Sequence, residues 1–174
     1  MANDLTTLSA KAVQFRGQII ENLSSLELMI DTFLCFYFTK EESNRDELAN
    51  LVFRTNRITF ESKRQIFEYI LKNKFPNILV KYPSINKDLI FVIEQRNIIA
   101  HYILGNDEED VFKQDKELTF IKYKNEISKI VYTNKQMVDL KYKILKLSML
   151  IGSFVSLFST PPSNSDTVHS SEPS

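Results

Sequence analysis

The sequence predicts a mainly α-helical domain carrying one small β-hairpin. Three observations carry that prediction. Apolar residues recur at helical spacing through long segments at the start, middle and end of the chain. Only three of the 174 residues are glycine, which leaves little material for tight hairpins. One stretch, 118–132, changes to a strand-like pattern on either side of a polar turn.

The first helix is expected over 8–38, where Ile19, Leu23, Leu26, Ile30, Phe33, Leu34 and Tyr37 share one side. A polar cluster at 40–46 ends it. Residues 51–60 read as a loop or short strand, because Val52, Ile58 and Phe60 favour extended backbone. Thr59 is placed to cap a second helix running to about residue 73, with Ile66, Phe67, Ile70 and Leu71 inward. Pro76 closes it, since proline cannot continue a helix. Ser84 suits the cap of a third helix, and Gly105-Asn106 marks its end near residue 104. An acidic loop, 107–110, follows.

The hairpin at 118–132 turns at Lys124-Asn125-Glu126. Thr133 and Gln136 have the spacing of a capping box, with Tyr132 and Met137 where a hydrophobic staple belongs. In the closing helix Met137, Leu140, Ile144, Leu147, Ile151, Phe154 and Phe158 repeat at heptad spacing. That stripe reads as core, with a dimer interface as the alternative. The domain is therefore drawn over 1–158. Residues 159–174 are Ser/Pro-rich and read as a disordered tail, because they hold too little apolar surface to offset ordering.

Composition excludes several classes. Hydrophobic residues make up 43%, charged residues 25%, and the formal net charge is zero. These are ordinary globular values, and they give no whole-molecule attraction to nucleic acid or anionic lipid. The lone Cys35 lies in an apolar run, which argues for a buried small hydrophobe and against a disulfide framework. The start lacks the pattern of a signal peptide. The most apolar stretch, 144–158, carries Lys146 and is too short for a membrane span. A cytoplasmic protein without a membrane contact is expected.

Chemistry concentrates in Arg96-Asn97-Ile98-Ile99-Ala100-His101. His101 is the one histidine of the expected folded body. At about 100° per residue, Glu94, Asn97 and His101 fall near one meridian of the third helix. Arg96 falls on the opposite side, roughly 140° from His101. An interior arginine needs a counter-charge. Glu27, on the flank of the first helix's apolar face, is the expected partner, with Asp31 as the alternative.

This segment resembles the signature of the HEPN superfamily (higher eukaryotes and prokaryotes nucleotide-binding domains). There an arginine and a polar residue precede a histidine, with four to six positions between arginine and histidine. Arg96, Asn97 and His101 meet the pattern, and the layout over residues 10–158 looks similar to that family's up-and-down helical bundle. The hairpin would be an insertion. The resemblance implies a metal-independent endoribonuclease, active as a homodimer, needing no cofactor and leaving a 2′,3′-cyclic phosphate. It implies His101 as general acid/base, Arg96 as stabiliser of the transition state and Asn97 as an orienting residue. Glu27, Asp31 and Glu94 would support them.

RNA also needs a basic approach surface, and Arg57, Lys63 and Arg64 are the expected contacts. A toxin or phage-defence effector, with an antitoxin or other regulatory protein as partner, would fit such an activity. Two other readings stand beside it. One is a non-catalytic module of the same shape that binds RNA, a nucleotide or a protein. The other is an architectural dimer built on the heptad stripe at Ile144 and Ile151.

Overall fold

A computed structural model describes residues 2–55, 57–123 and 127–158. The described residues are mainly helical, at 76%, with a small three-stranded antiparallel sheet inserted. The expected tail at 159–174 and the hairpin tip at 124–126 lie outside the described residues.

Helix α1 spans Ala2–Phe38, about 55 Å of helix at 1.5 Å per residue. It is the spine of the core. Leu8, Phe15, Ile19, Leu23, Leu26, Ile30, Phe33 and Leu34 are all buried along it. After a break, α2 (Glu42–Leu48) runs directly into a π-helical turn, Ala49–Phe53. Among the described residues of 51–60 no strand forms, although a short strand is one of the two expectations. Ala49 and Phe53 are buried, and burial of that face decides between two conformations that local preference left open.

Helix α3 covers Phe60–Lys74, and Thr59 caps it by accepting from the Ser62 amide. Pro76 does stop α3, but it also starts a short helix, α4 (Pro76–Lys81), from the first-turn position where its missing N–H costs nothing. Helix α5 spans Ile85–His101. Ser84 precedes it without capping its backbone, and its hydroxyl meets Asp88 at 2.8 Å.

Helix α5 ends three residues short of the expected stop. Tyr102 turns extended, and Ile103–Leu104 form strand β1. Strands β2 (Glu117–Tyr123) and β3 (Ile127–Thr133) make the expected hairpin, and β1 adds to its β2 edge in the order β1-β2-β3. Ile103 pairs with Ile121, and Leu118 with Tyr132. Within the acidic segment a short helix, α6 (Glu108–Phe112), is capped by Asp107, which accepts from the Asp110 amide. Gly105 is required at this corner, because a Cβ there would collide with the Asp110 carboxylate and lie 3.1 Å from Thr119 Cβ.

Helix α7, Asn134–Val155, starts at the expected capping box, and both of its reciprocal bonds are present. Met137, Leu140, Ile144, Leu147, Ile151 and Phe154 are buried. The heptad stripe is therefore core, and the dimer built on Ile144 and Ile151 is set aside.

Helices α1 and α7 run parallel. Lys11 meets Asn134 and Lys141 meets Gln18, each pair 123 positions apart. Farther along, Gly152 sits beside Met29, again at an offset of 123. Helix α5 runs against both: Tyr82 stacks near Phe154, Asp88 pairs with Lys143, and Gln95 bonds Tyr132. First and last helices thus point the same way, unlike those of a strictly alternating four-helix bundle. The sheet between α5 and α7 reverses the chain once more.

Aromatic clusters hold the two ends. Phe33 packs against Phe67, Phe75 and Phe158 at 4.9, 6.3 and 5.3 Å between ring centroids. At the other end Phe15, Phe120 and Tyr132 pack within 6.5 Å of one another, tying the sheet to α1. No helix is long and apolar enough to cross a membrane among the described residues.

Candidate functional site

Helix α5 carries the motif in its last two turns. Val92, Ile93 and Ile99 bury one side, which turns Glu94, Asn97 and His101 outward. All three are exposed, and their side chains make no hydrogen bond or ion pair among the described residues. Arg96 is half-buried and likewise has no side-chain partner among those residues. Asn97 and His101 are one turn apart and share a face, the arrangement that the helical spacing calls for.

The expected link from Arg96 to α1 is not formed. Lys63 of α3 takes both carboxylates instead. Its Nζ lies 2.6 Å from Glu27 and 3.0 Å from Asp31. The ammonium is almost fully buried, at 2% exposure, and so is Asp31, at 4%. A buried amine with two carboxylates satisfies the requirement for a compensated interior charge. Burial pushes the Asp31 carboxyl above its ordinary range, against the pull of Lys63. Arg96 is the expected cation; Lys63 takes its place because packing buries the face of α3 that it shares with Phe60 and Phe67.

The basic approach surface changes accordingly. Lys63 is committed to Glu27 and Asp31 and cannot meet RNA. Arg64 is also buried, with its guanidinium held by Glu61 at 2.7 Å and Glu68 at 2.6 Å. Of the three expected contacts only Arg57 is exposed.

Two cations that the sequence argument did not single out stand beside the motif. Arg16 of α1 donates through Nη2 to the Tyr102 carbonyl at 2.6 Å, immediately after His101. Its guanidinium also lies 5.0 Å from the Phe120 ring centroid. Burial draws its pKa below the usual arginine value. Lys122 of β2 places its ammonium 5.6 Å from the Tyr102 ring. The available signal for Arg16 was its flank position on α1, next to Phe15 and within a run of core residues. Lys122 had none, because strand pairing alone brings it to Tyr102.

The site is thus an exposed Asn97/His101 pair on α5, a half-buried arginine without a counter-ion one position before Asn97, and Arg16 locking the turn that follows. Such a set offers a guanidinium to an anion and an exposed imidazole that can donate or accept a hydrogen bond. Among the described residues no His, Cys, Asp and Glu side chains gather in a metal-binding group. Comparison with models of protein families, with curated proteins and with solved structures finds no match.

Proposed function

We propose that this protein is a metal-independent endoribonuclease of the HEPN type, acting through Arg96, Asn97 and His101. One observation carries the reading. Arg96 is a half-buried residue without a carboxylate partner among the described residues, one position from an exposed Asn97 and one helical turn and more from an exposed His101. A cation in that condition is primed for an external anion, and a phosphodiester is an anion that a planar guanidinium grips with two hydrogen bonds.

In the proposed reaction an imidazole takes the proton of the RNA 2′-hydroxyl, whose oxygen attacks the adjacent phosphorus. Arg96 balances the charge of the resulting phosphorane. A second acid returns a proton to the departing 5′-oxygen, leaving a 2′,3′-cyclic phosphate and a 5′-hydroxyl. One His101 per chain does not readily fill both proton roles, so a second copy supplies the other. Asn97 orients the phosphate. Arg16 keeps the carbonyl end of α5 in place, and Lys122 adds positive charge nearby. A toxin or phage-defence role, with a neutralising protein partner, is the setting that suits such an activity.

A second reading is a binding module of the same shape that holds RNA or a nucleotide without cutting it. The loss of the Glu27–Arg96 link favours it, because nothing on α1 then fixes the arginine. One experiment separates the two. Purified protein is incubated with single-stranded and structured RNA in EDTA, beside His101→Ala. Cleavage that ends in cyclic phosphate and vanishes in the variant supports the nuclease. Retarded but intact RNA in both lanes supports the binding module.

A further inference from the structure

Helix α7 has a second apolar stripe, and unlike the first it is uncovered. Val138, Tyr142, Leu145 and Met149 are 62, 68, 54 and 69% exposed. Their spacing of four, three and four places them on one line along the helix. Contiguous apolar surface of this kind is uncommon on a monomer and marks a contact site. Helix α1 closes one flank of the stripe, because Lys141 is bonded to Gln18 and Gly152 lies beside Met29. The other flank is open and carries Asp139 and Lys146, seven positions apart. Both are exposed, and neither has a side-chain partner among the described residues.

We infer that this stripe binds the same stripe of a second copy, antiparallel, about a two-fold axis between Tyr142 and Leu145. The charges decide the occupant and the direction. Turned about that axis, Val138 meets the partner's Met149, and Tyr142 meets the partner's Leu145. Asp139 of each chain then lies opposite Lys146 of the other, so the two-fold forms the ion pair twice. A parallel alignment would instead carry the two copies of this flank to opposite sides of the seam, where Asp139 and Lys146 do not meet. Unlike charges that meet across a contact specify its direction and register. In heptad terms Tyr142 and Met149 take one core position, Val138 and Leu145 the other, and Asp139 and Lys146 share the flanking position that pairs with itself in antiparallel seams.

The seam does not rest on the ribonuclease reading. Lys143, which bonds Asp88 of α5, lies on a different side of α7 from the stripe. The Asn97/His101 face of α5 stays clear of the seam, and a contact between two motifs would be a separate interface.

The test is the concentration dependence of mass, followed by sedimentation equilibrium on the full chain. Wild-type protein is expected to pass from monomer to dimer with rising concentration. Asp139→Lys alone and Lys146→Asp alone should each raise the dissociation constant by about tenfold or more, since each turns two attractions into repulsions. Asp139→Lys combined with Lys146→Asp should restore it to near the wild-type value. Leu145→Asp should leave a monomer with an unchanged far-ultraviolet circular dichroism spectrum. A wild-type chain that stays monomeric throughout overturns the proposal. So does a dimer indifferent to the single reversals, or one that the double reversal does not restore. A chain that is monomeric at every concentration would also remove the second copy on which the ribonuclease reading draws. A dimer indifferent to the reversals overturns the seam alone and leaves that reading where it stood.

Discussion

The Nζ of Lys63 lies 2.6 Å from Oε1 of Glu27, and the same ammonium is 3.0 Å from Asp31. This triad joins α3 to the middle of α1. It places one buried cation between two carboxylates, and each member depends on the others for the neutralisation that water no longer supplies.

Removing the cation should therefore cost more than a surface ion pair would. Lys63→Met leaves Asp31 buried without its counter-charge, and a loss of about 3–5 kcal/mol is expected in urea unfolding. Adding Asp31→Asn to Lys63→Met should recover part of that loss. A Lys63→Met protein within about 1 kcal/mol of wild type would show the triad to be dispensable.

Arg16 offers a test of how α5 ends. Its guanidinium bonds the Tyr102 carbonyl and lies against Phe120. Arg16→Ala should lower stability by about 1.5–3 kcal/mol, the range for a hydrogen bond with a charged partner. Hydrogen exchange should quicken first at the amides of 99–104. Unchanged protection there, with stability lost elsewhere, would mean that Arg16 serves packing alone.

For the motif, stability and activity should separate. Asn97 and His101 are exposed and unpartnered among the described residues, so Asn97→Ala and His101→Ala should leave the melting temperature within about 2 °C of wild type. RNA cleavage should fall by about 10²–10⁴-fold in His101→Ala, the usual worth of a general acid or base. A comparable loss is expected in Arg96→Ala, with Arg96→Lys recovering little because a lysine cannot grip a phosphate twice. A cleaving His101→Ala protein would remove the histidine from the mechanism.

Tyr132 links pH to folding. Its hydroxyl donates to Gln95 at 2.6 Å, and burial raises its pKa to about 12. The unfolded chain ionises this phenol near the ordinary value of about 10. The unfolded form alone sheds the proton between those two values, so stability is intact below pH 10 and declines from pH 10 towards 12. Tyr132→Phe should flatten that decline in unfolding measured across pH 9–12. A curve for Tyr132→Phe that keeps the wild-type slope would assign the alkaline loss to other groups.

Much of the fold was legible in the chain because it rests on short-range rules. The stripe on α1, the Thr59 cap and the capping box at Thr133 depend on residues within a few positions of one another, and the hairpin pairs two strands that adjoin in sequence. So does the turn-apart placement of Asn97 and His101 on α5, which follows from helical period alone. Where local signals conflicted, the outcome followed burial. Residues 49–53 became a π-helical turn because Ala49 and Phe53 face the core, and 103–104 left α5 because β2 offered hydrogen bonds that a fraying helix end lacked.

By itself, then, the sequence determined the helical class, the position of the β2–β3 hairpin and the residues that α5 presents together, since each is a matter of period, turn and capping. Tertiary structure alone decided the parallel course of α1 and α7, the choice of Lys63 as partner of Glu27 and Asp31, and the approach of Arg16 and Lys122 to the end of α5. It also left the second apolar stripe on α7 uncovered. The physical reason is common to all four. Charge partners and burial depend on distances between segments far apart in the chain, and no local pattern encodes those distances.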